Sequence, residues 1–91
     1  AETEFTGQLL GKVRESLGVE LSEIARQTKI SVSQLAAIES EAFDELPALV
    51  YTRGFVQQLA KFLKLDPTQV TKTYLRRLRE RRAETEGDAQ H

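Results

Sequence analysis

The stretch "LSEIARQTKISVSQLAAIES", residues 21–40, constrains this chain more than any other. Ile24, Thr28, Ile30, Leu35 and Ile38 are spaced as on two short amphipathic helices that meet at a tight turn. Helices this short are marginal alone in water, so each must bury its apolar stripe against a neighbour. The start of the second is written in detail. Ser31 stands at the cap, Gln34 at the capping-box position, and Ile30 and Leu35 at the two ends of a hydrophobic staple.

Similar start signals recur elsewhere. Thr6 caps a first helix, with Phe5 and Leu10 placed as a staple, and Leu10, Val13 and Leu17 follow at helical spacing until Gly18 offers a left-handed stop. The helix over 21–28 has Glu20 at its cap, a weaker choice that predicts a frayed start. "EAFDELP" reads as a loop whose Phe43 and Leu46 dip into the core, with Pro47 in the first turn of a fourth helix running from Ala48 to about Lys64. "DPTQ" opens a fifth: Asp66 caps, Pro67 follows, Gln69 takes the box position, and Val70, Tyr74 and Leu78 carry the apolar stripe. The expectation is an all-α, five-helix bundle. Residues 1–5 form a disordered lead, 6–80 the domain, and 81–91 a disordered tail. The expected core comprises Leu10, Val13, Leu17, Ile24, Ala25, Ile30, Leu35, Ile38, Phe55, Leu59 and Leu63.

Ninety-one residues suit one domain, and 40% hydrophobic with 30% charged residues allow a modest core under a soluble surface. No run approaches the ~18 apolar residues of a membrane span, so no membrane contact is expected from this segment itself. The missing initiator Met suggests processing or, as the favoured expectation, a fragment of a longer protein. Catalysis is not expected. The only His is residue 91, there is no Cys, and the five glycines are scattered rather than gathered into a phosphate loop. The neighbouring carboxylates Asp44 and Glu45 read as a solvated turn, and no metal or cofactor is expected.

The net charge of −1 conceals an asymmetry. Residues 31–50 carry Glu39, Glu41, Asp44 and Glu45 with no basic residue, a charge of −4. Residues 72–82 carry Lys72, Arg76, Arg77, Arg79, Arg81 and Arg82 against Glu80, a charge of +5. That basic run reads most simply as a solvated helix face.

"GQLLGKVRESLGVELSEIARQTKISVSQLAAIE" followed by "FDELPALVYTRGFVQQLAKFLKLDP" resembles the cytoplasmic helix-turn-helix domain of RodZ-type proteins, within the phage-repressor-like Xre/Cro group. "LPALVYTRGF" and "LKLDP" are the telling parts, because simple repressors lack them. The resemblance implies a bundle of the repressor-like type and a protein partner of the MreB class, the bacterial actin homologue that sets rod shape. It also implies a cytoplasmic location, as the cytoplasmic part of a single-pass inner-membrane protein or as a module elsewhere. It assigns Ala25 to the close approach of helices two and three, and Arg14 and Glu39 to a bridge between helices one and three. Lys29 departs from the motif, which prefers Gly at that turn; a left-handed Lys costs about 1 kcal/mol.

Two functions compete. As a protein-interaction module, the chain would dock through Phe43, Tyr51, Arg53 and Phe55, since aromatics and Arg are enriched at interface hot spots. Phe55 shares a helical stripe with Leu59 and Phe62, so its inward burial is the simpler reading, while Tyr51 has the better chance of exposure. As a DNA reader, it would use Arg26, Lys29, Ser33, Gln34 and Ser40, with Gln34 able to pair with an adenine edge. Phosphate neutralisation is poor there, because helix three has no Lys or Arg and acidic residues follow it. Protein interaction is the expected role, with weak DNA binding and a monomer expected, and the alternative is a DNA-binding transcriptional regulator domain that reads DNA with helix three.

Overall fold

The computed structural model describes residues 3–89, with side chains as far as Glu84. Among these residues the chain forms α1 (Gly7–Ser16), α2 (Leu21–Thr28), α3 (Val32–Ser40), a 3-10 turn (Phe43–Glu45), α4 (Leu49–Phe62) and α5 (Pro67–Ala89), with no strand. The all-α expectation holds. α1 packs on α3, α2 lies between α3 and α4, and α5 runs along α4 and reaches the 3-10 turn.

Local chemistry sets these boundaries. Thr6 Oγ1 accepts from the Leu9 N–H at 3.1 Å, Ser31 Oγ from Gln34 N–H at 3.1 Å, and Asp66 Oδ1 from Thr68 N–H at 3.0 Å. Glu20 makes no side-chain cap bond. Gly18 is left-handed with φ 70°, and so is Lys29 with φ 63°, as the missing glycine required. Glu41 and Lys64 also adopt positive φ, at 57° and 61°, just after α3 and α4. Neither signals this in the sequence, and each carries a cost of about 1 kcal/mol that the surrounding packing must offset.

One close approach fixes how α1 meets α3. A methyl group on Gly7 would collide with the carbonyl oxygens of Ile38 and Glu39, so only glycine lets α1 begin directly against the end of α3. The core then runs from Leu10, Ile24, Leu35 and Ile38 through Val56 and Leu59 to Val70, Tyr74 and Leu78. Tyr74 is fully buried, and its hydroxyl donates to the Ile38 carbonyl at 2.7 Å. Burial pushes that phenol well above its ordinary pKa, and the nearby Glu41 charge adds to the shift.

The structure departs from expectation at several places. Leu17 is 54% exposed rather than core, because it is the last residue before the chain turns at Gly18; Val19, beyond the turn, packs inward instead. Pro47 precedes the cap of α4 rather than sitting in its first turn, and its carbonyl accepts from the Thr52 hydroxyl at 3.0 Å. The two glutamines expected to complete capping boxes do other things. Gln34 Oε1 is buried without a hydrogen-bond partner, and Gln69 Nε2 donates to the Thr3 carbonyl at 2.9 Å.

Contacts reach into both terminal segments. Phe5 N–H donates to Thr73 Oγ1 at 3.0 Å, tying the lead onto α5. α5 continues through Ala89, and Arg82 Nη2 donates to the carbonyls of Phe43, Leu46 and Pro47 at 3.2, 3.1 and 3.0 Å. Nothing local to "RERRA" announces this, since the acceptors lie more than thirty residues earlier. Residues 1–2 and 90–91 of the expected lead and tail lie outside the described residues.

Candidate functional site

Two faces were expected to compete for function: the outside of α3 and the opening turns of α4. Two of the acids around α3, Glu39 and Glu41, prove to be structural. Arg14 grips Glu39 with both arms of its guanidinium, Nε to Oε2 at 2.7 Å and Nη2 to Oε1 at 3.1 Å, while its Nη1 donates to the Val19 carbonyl at 2.8 Å. The bond to Glu39 raises the Arg14 pKa further still, despite partial burial. Glu41 accepts from the Gly7 N–H at 3.0 Å and from Arg77 at 2.9 and 3.2 Å, joining α1, α3 and α5 at one carboxylate. Burial pushes the Glu41 carboxyl up, but the bonds from Arg77 and Gly7 outweigh it, and the net shift is downward. Asp44 and Glu45 remain exposed on the 3-10 turn.

What α3 leaves outside is small. Ser33, Ala36 and Ser40 are exposed, and Ser40 Oγ lies 3.5 Å from the Ala37 carbonyl. Val32 is 45% exposed. Of the residues expected to read DNA, Arg26, Lys29, Ser33 and Ser40 are exposed. Gln34 is half-buried with Oε1 turned away from solvent, so its amide is not presented as a base reader needs.

The α4 set divides. Tyr51 is 62% exposed, and Phe55, one turn later, is half-buried with one side against the core. As an i, i+4 pair they occupy one flank of α4, which Phe62 continues. Arg53 is exposed but points to the other flank, because residues two apart on a helix face away from each other. There it lines a cleft against α5 with Gln57, Thr68, Thr71, Lys72, Leu75 and Arg79.

Phe43 does not belong to a docking face. It is 3% exposed, with its ring edge-to-face on Tyr74 at 5.9 Å and the Arg81 guanidinium 5.4 Å from its centroid. The 3-10 turn folds it under α5, which supplies both partners. Val50, at 70%, is the most exposed large apolar side chain on α4, and nothing in the sequence singled it out.

A family model described as "Helix-turn-helix domain" matches residues 9–70, from α1 into α5. A curated relative, "Cytoskeleton protein RodZ" of Streptococcus pneumoniae (strain ATCC BAA-255 / R6), is 35% identical over 68 residues, covering 75% of this chain. This chain belongs to the RodZ-like helix-turn-helix domain family. It spans 25% of that relative's length. No solved structure matches the chain.

The RodZ-like domain described here thus has its α1–α3 bridge in place at Arg14 and Glu39, as the resemblance implied. No group of side chains among the described residues could hold a metal ion, and no described helix is long and apolar enough to cross a membrane.

Proposed function

We propose that this RodZ-like domain is a non-catalytic protein-interaction module of a cytoskeleton-linked protein. It acts in the cytoplasm, and it docks a filament-forming partner of the MreB class through the Tyr51 flank of α4. The observation that carries the reading is an aromatic left 62% in solvent on a rigid helix, with the half-buried Phe55 one turn behind it. A large exposed ring is costly for a domain that has no use for it, and aromatics anchored this way are typical interface hot spots. Support for the partner class comes from the relative named a cytoskeleton protein. Against a DNA reader stand the buried Oε1 of Gln34 and the absence of Lys and Arg from α3.

Calorimetry of Tyr51→Ala with an MreB-like protein, beside thermal melts, tests this. Binding should weaken by about 1–3 kcal/mol with melting unchanged. If Tyr51→Ala binds like wild type while Ser33→Ala abolishes binding, the docking face is α3 and the proposal fails.

A further inference from the structure

The cleft between α4 and α5 is built differently from either face discussed above. α5 contributes Thr68, the adjacent Thr71 and Lys72, Leu75 and Arg79, which succeed one another about one turn apart and so form one stripe. α4 contributes Arg53 and Gln57, again one turn apart. The space they enclose is about 370 Å³, large enough for a small organic molecule as well as an ion. Among the described residues no carboxylate lines it. Neither Arg53 nor Arg79 has an ion-pair partner among the described residues. Thr71 is only 6% exposed, and its Oγ1 has no hydrogen-bond partner, an arrangement that native proteins seldom leave unresolved.

We propose that this cleft binds a phosphoryl group, carried by a soluble phosphomonoester or by a lipid headgroup. The charge and the donors decide the class. Two guanidiniums and an ammonium are acceptor-free, and the Gln57 amide and the Thr hydroxyls add further donors. A carboxylate would balance only one of the two unpaired guanidiniums. A phosphomonoester brings close to two negative charges and three strong acceptor oxygens, which the planar forks of Arg53 and Arg79 match from opposite walls. Lys72 adds a point charge, and the Thr71 hydroxyl gains the acceptor it lacks within the protein. Leu75, on the same stripe, is 4% exposed and forms the floor of the cleft.

The site is separate from the Tyr51 flank, so the two proposals stand or fall independently. Backbone-amide NMR titrations of the whole chain with inorganic phosphate and with O-phosphoserine, at constant ionic strength and with acetate as reference, test it. Expected are saturable shifts confined to residues around Arg53, Thr71 and Arg79, absent with acetate. Arg53→Gln and Arg79→Gln should each weaken binding about ten-fold, the loss expected for one charge-assisted contact. Thr71→Val should weaken it while the fold persists, and Arg26→Gln, on α2, should change nothing.

Flotation with phosphatidylglycerol and phosphatidylcholine vesicles separates the sources. Binding to the former alone, displaced by phosphoserine and lost in both Arg variants, identifies a lipid headgroup. Phosphoserine shifts without flotation identify a soluble ligand. Equal responses to acetate and phosphate, or unchanged phosphate binding in both Arg variants, overturn the proposal.

Discussion

α3 and the first turns of α4 are both faces on which a repressor-like bundle could do its work, and they have been resolved in opposite ways. At the end of α3 the charges are engaged inward: Glu39 is held by Arg14, and Glu41 by Gly7 and Arg77. What remains outside is serine, alanine and one half-exposed valine. At the start of α4 large apolar side chains, Val50 and Tyr51, are left in solvent. The same scaffold therefore spends its polar groups on holding α3 in place and its apolar surplus on the outside of α4. A helix-turn-helix scaffold does not by itself locate function, which has to be argued from the residues it exposes.

The sharpest way to break this contrast is at Gly7. Gly7→Val drives two methyl groups at the Ile38 and Glu39 carbonyls and should unseat α1 from α3, lowering stability by about 3 kcal/mol in denaturant unfolding. An unchanged midpoint would mean that α1 is not pinned there. Next comes Phe55→Ala, which should cost about 2 kcal/mol, less than a fully buried ring because one side is open. Melts and partner binding should both fall, in contrast to Tyr51→Ala, where binding alone falls.

Glu41→Gln tests the acid side of the comparison, with an expected loss of about 1–2 kcal/mol at neutral pH. The sign of its pH dependence follows from the lowered pKa. Glu41 is ionised and bonded in the folded state down to below the ordinary carboxylate value of 4.5, and its contribution is complete above that value, where the unfolded chain is ionised too. It disappears as the pH falls through the folded-state pKa, which lies below that value. Acid titration of stability should therefore be steeper in wild type than in Glu41→Gln. The smallest effect is expected at Ser33→Ala, within about 0.5 kcal/mol of wild type in stability. Its duplex-DNA affinity should also match wild type, no tighter than about 10 μM at ~150 mM salt. Sub-micromolar, site-selective binding would reverse the contrast drawn between the two faces.

How much of this could be read from the sequence depended on how local the cause was. Thr6, Ser31 and Asp66 cap their helices through atoms two or three residues away, and all three were legible. The Arg14–Glu39 bridge was legible only through family resemblance, because its partners are 25 residues apart. Leu17 was misplaced by extending a helical period one residue beyond the helix that justified it. Tyr51 and Arg53 were grouped by proximity along the chain, although a two-residue spacing already placed them on different flanks. Phe43 illustrates the remaining difficulty. The loop reading of "EAFDELP" puts it in the core, as found, and its place on the docking face fails because its cover, Tyr74 and Arg81, lies outside that window.

The bonds from Arg82 to three carbonyls of the loop before α4 bear on the order in which the chain is made. Synthesis delivers the helix-turn-helix first and the loop next, while Arg82 arrives 35 to 39 residues after its acceptors. Tyr74, which covers Phe43, is also late. Until α5 emerges, a nascent chain holds Phe43 and Leu46 without their cover and the loop carbonyls bonded to water. The last helix is thus the step that commits the domain, and ribosome-bound chains halted before residue 74 should be markedly more open to protease near Phe43 than chains extended past residue 82.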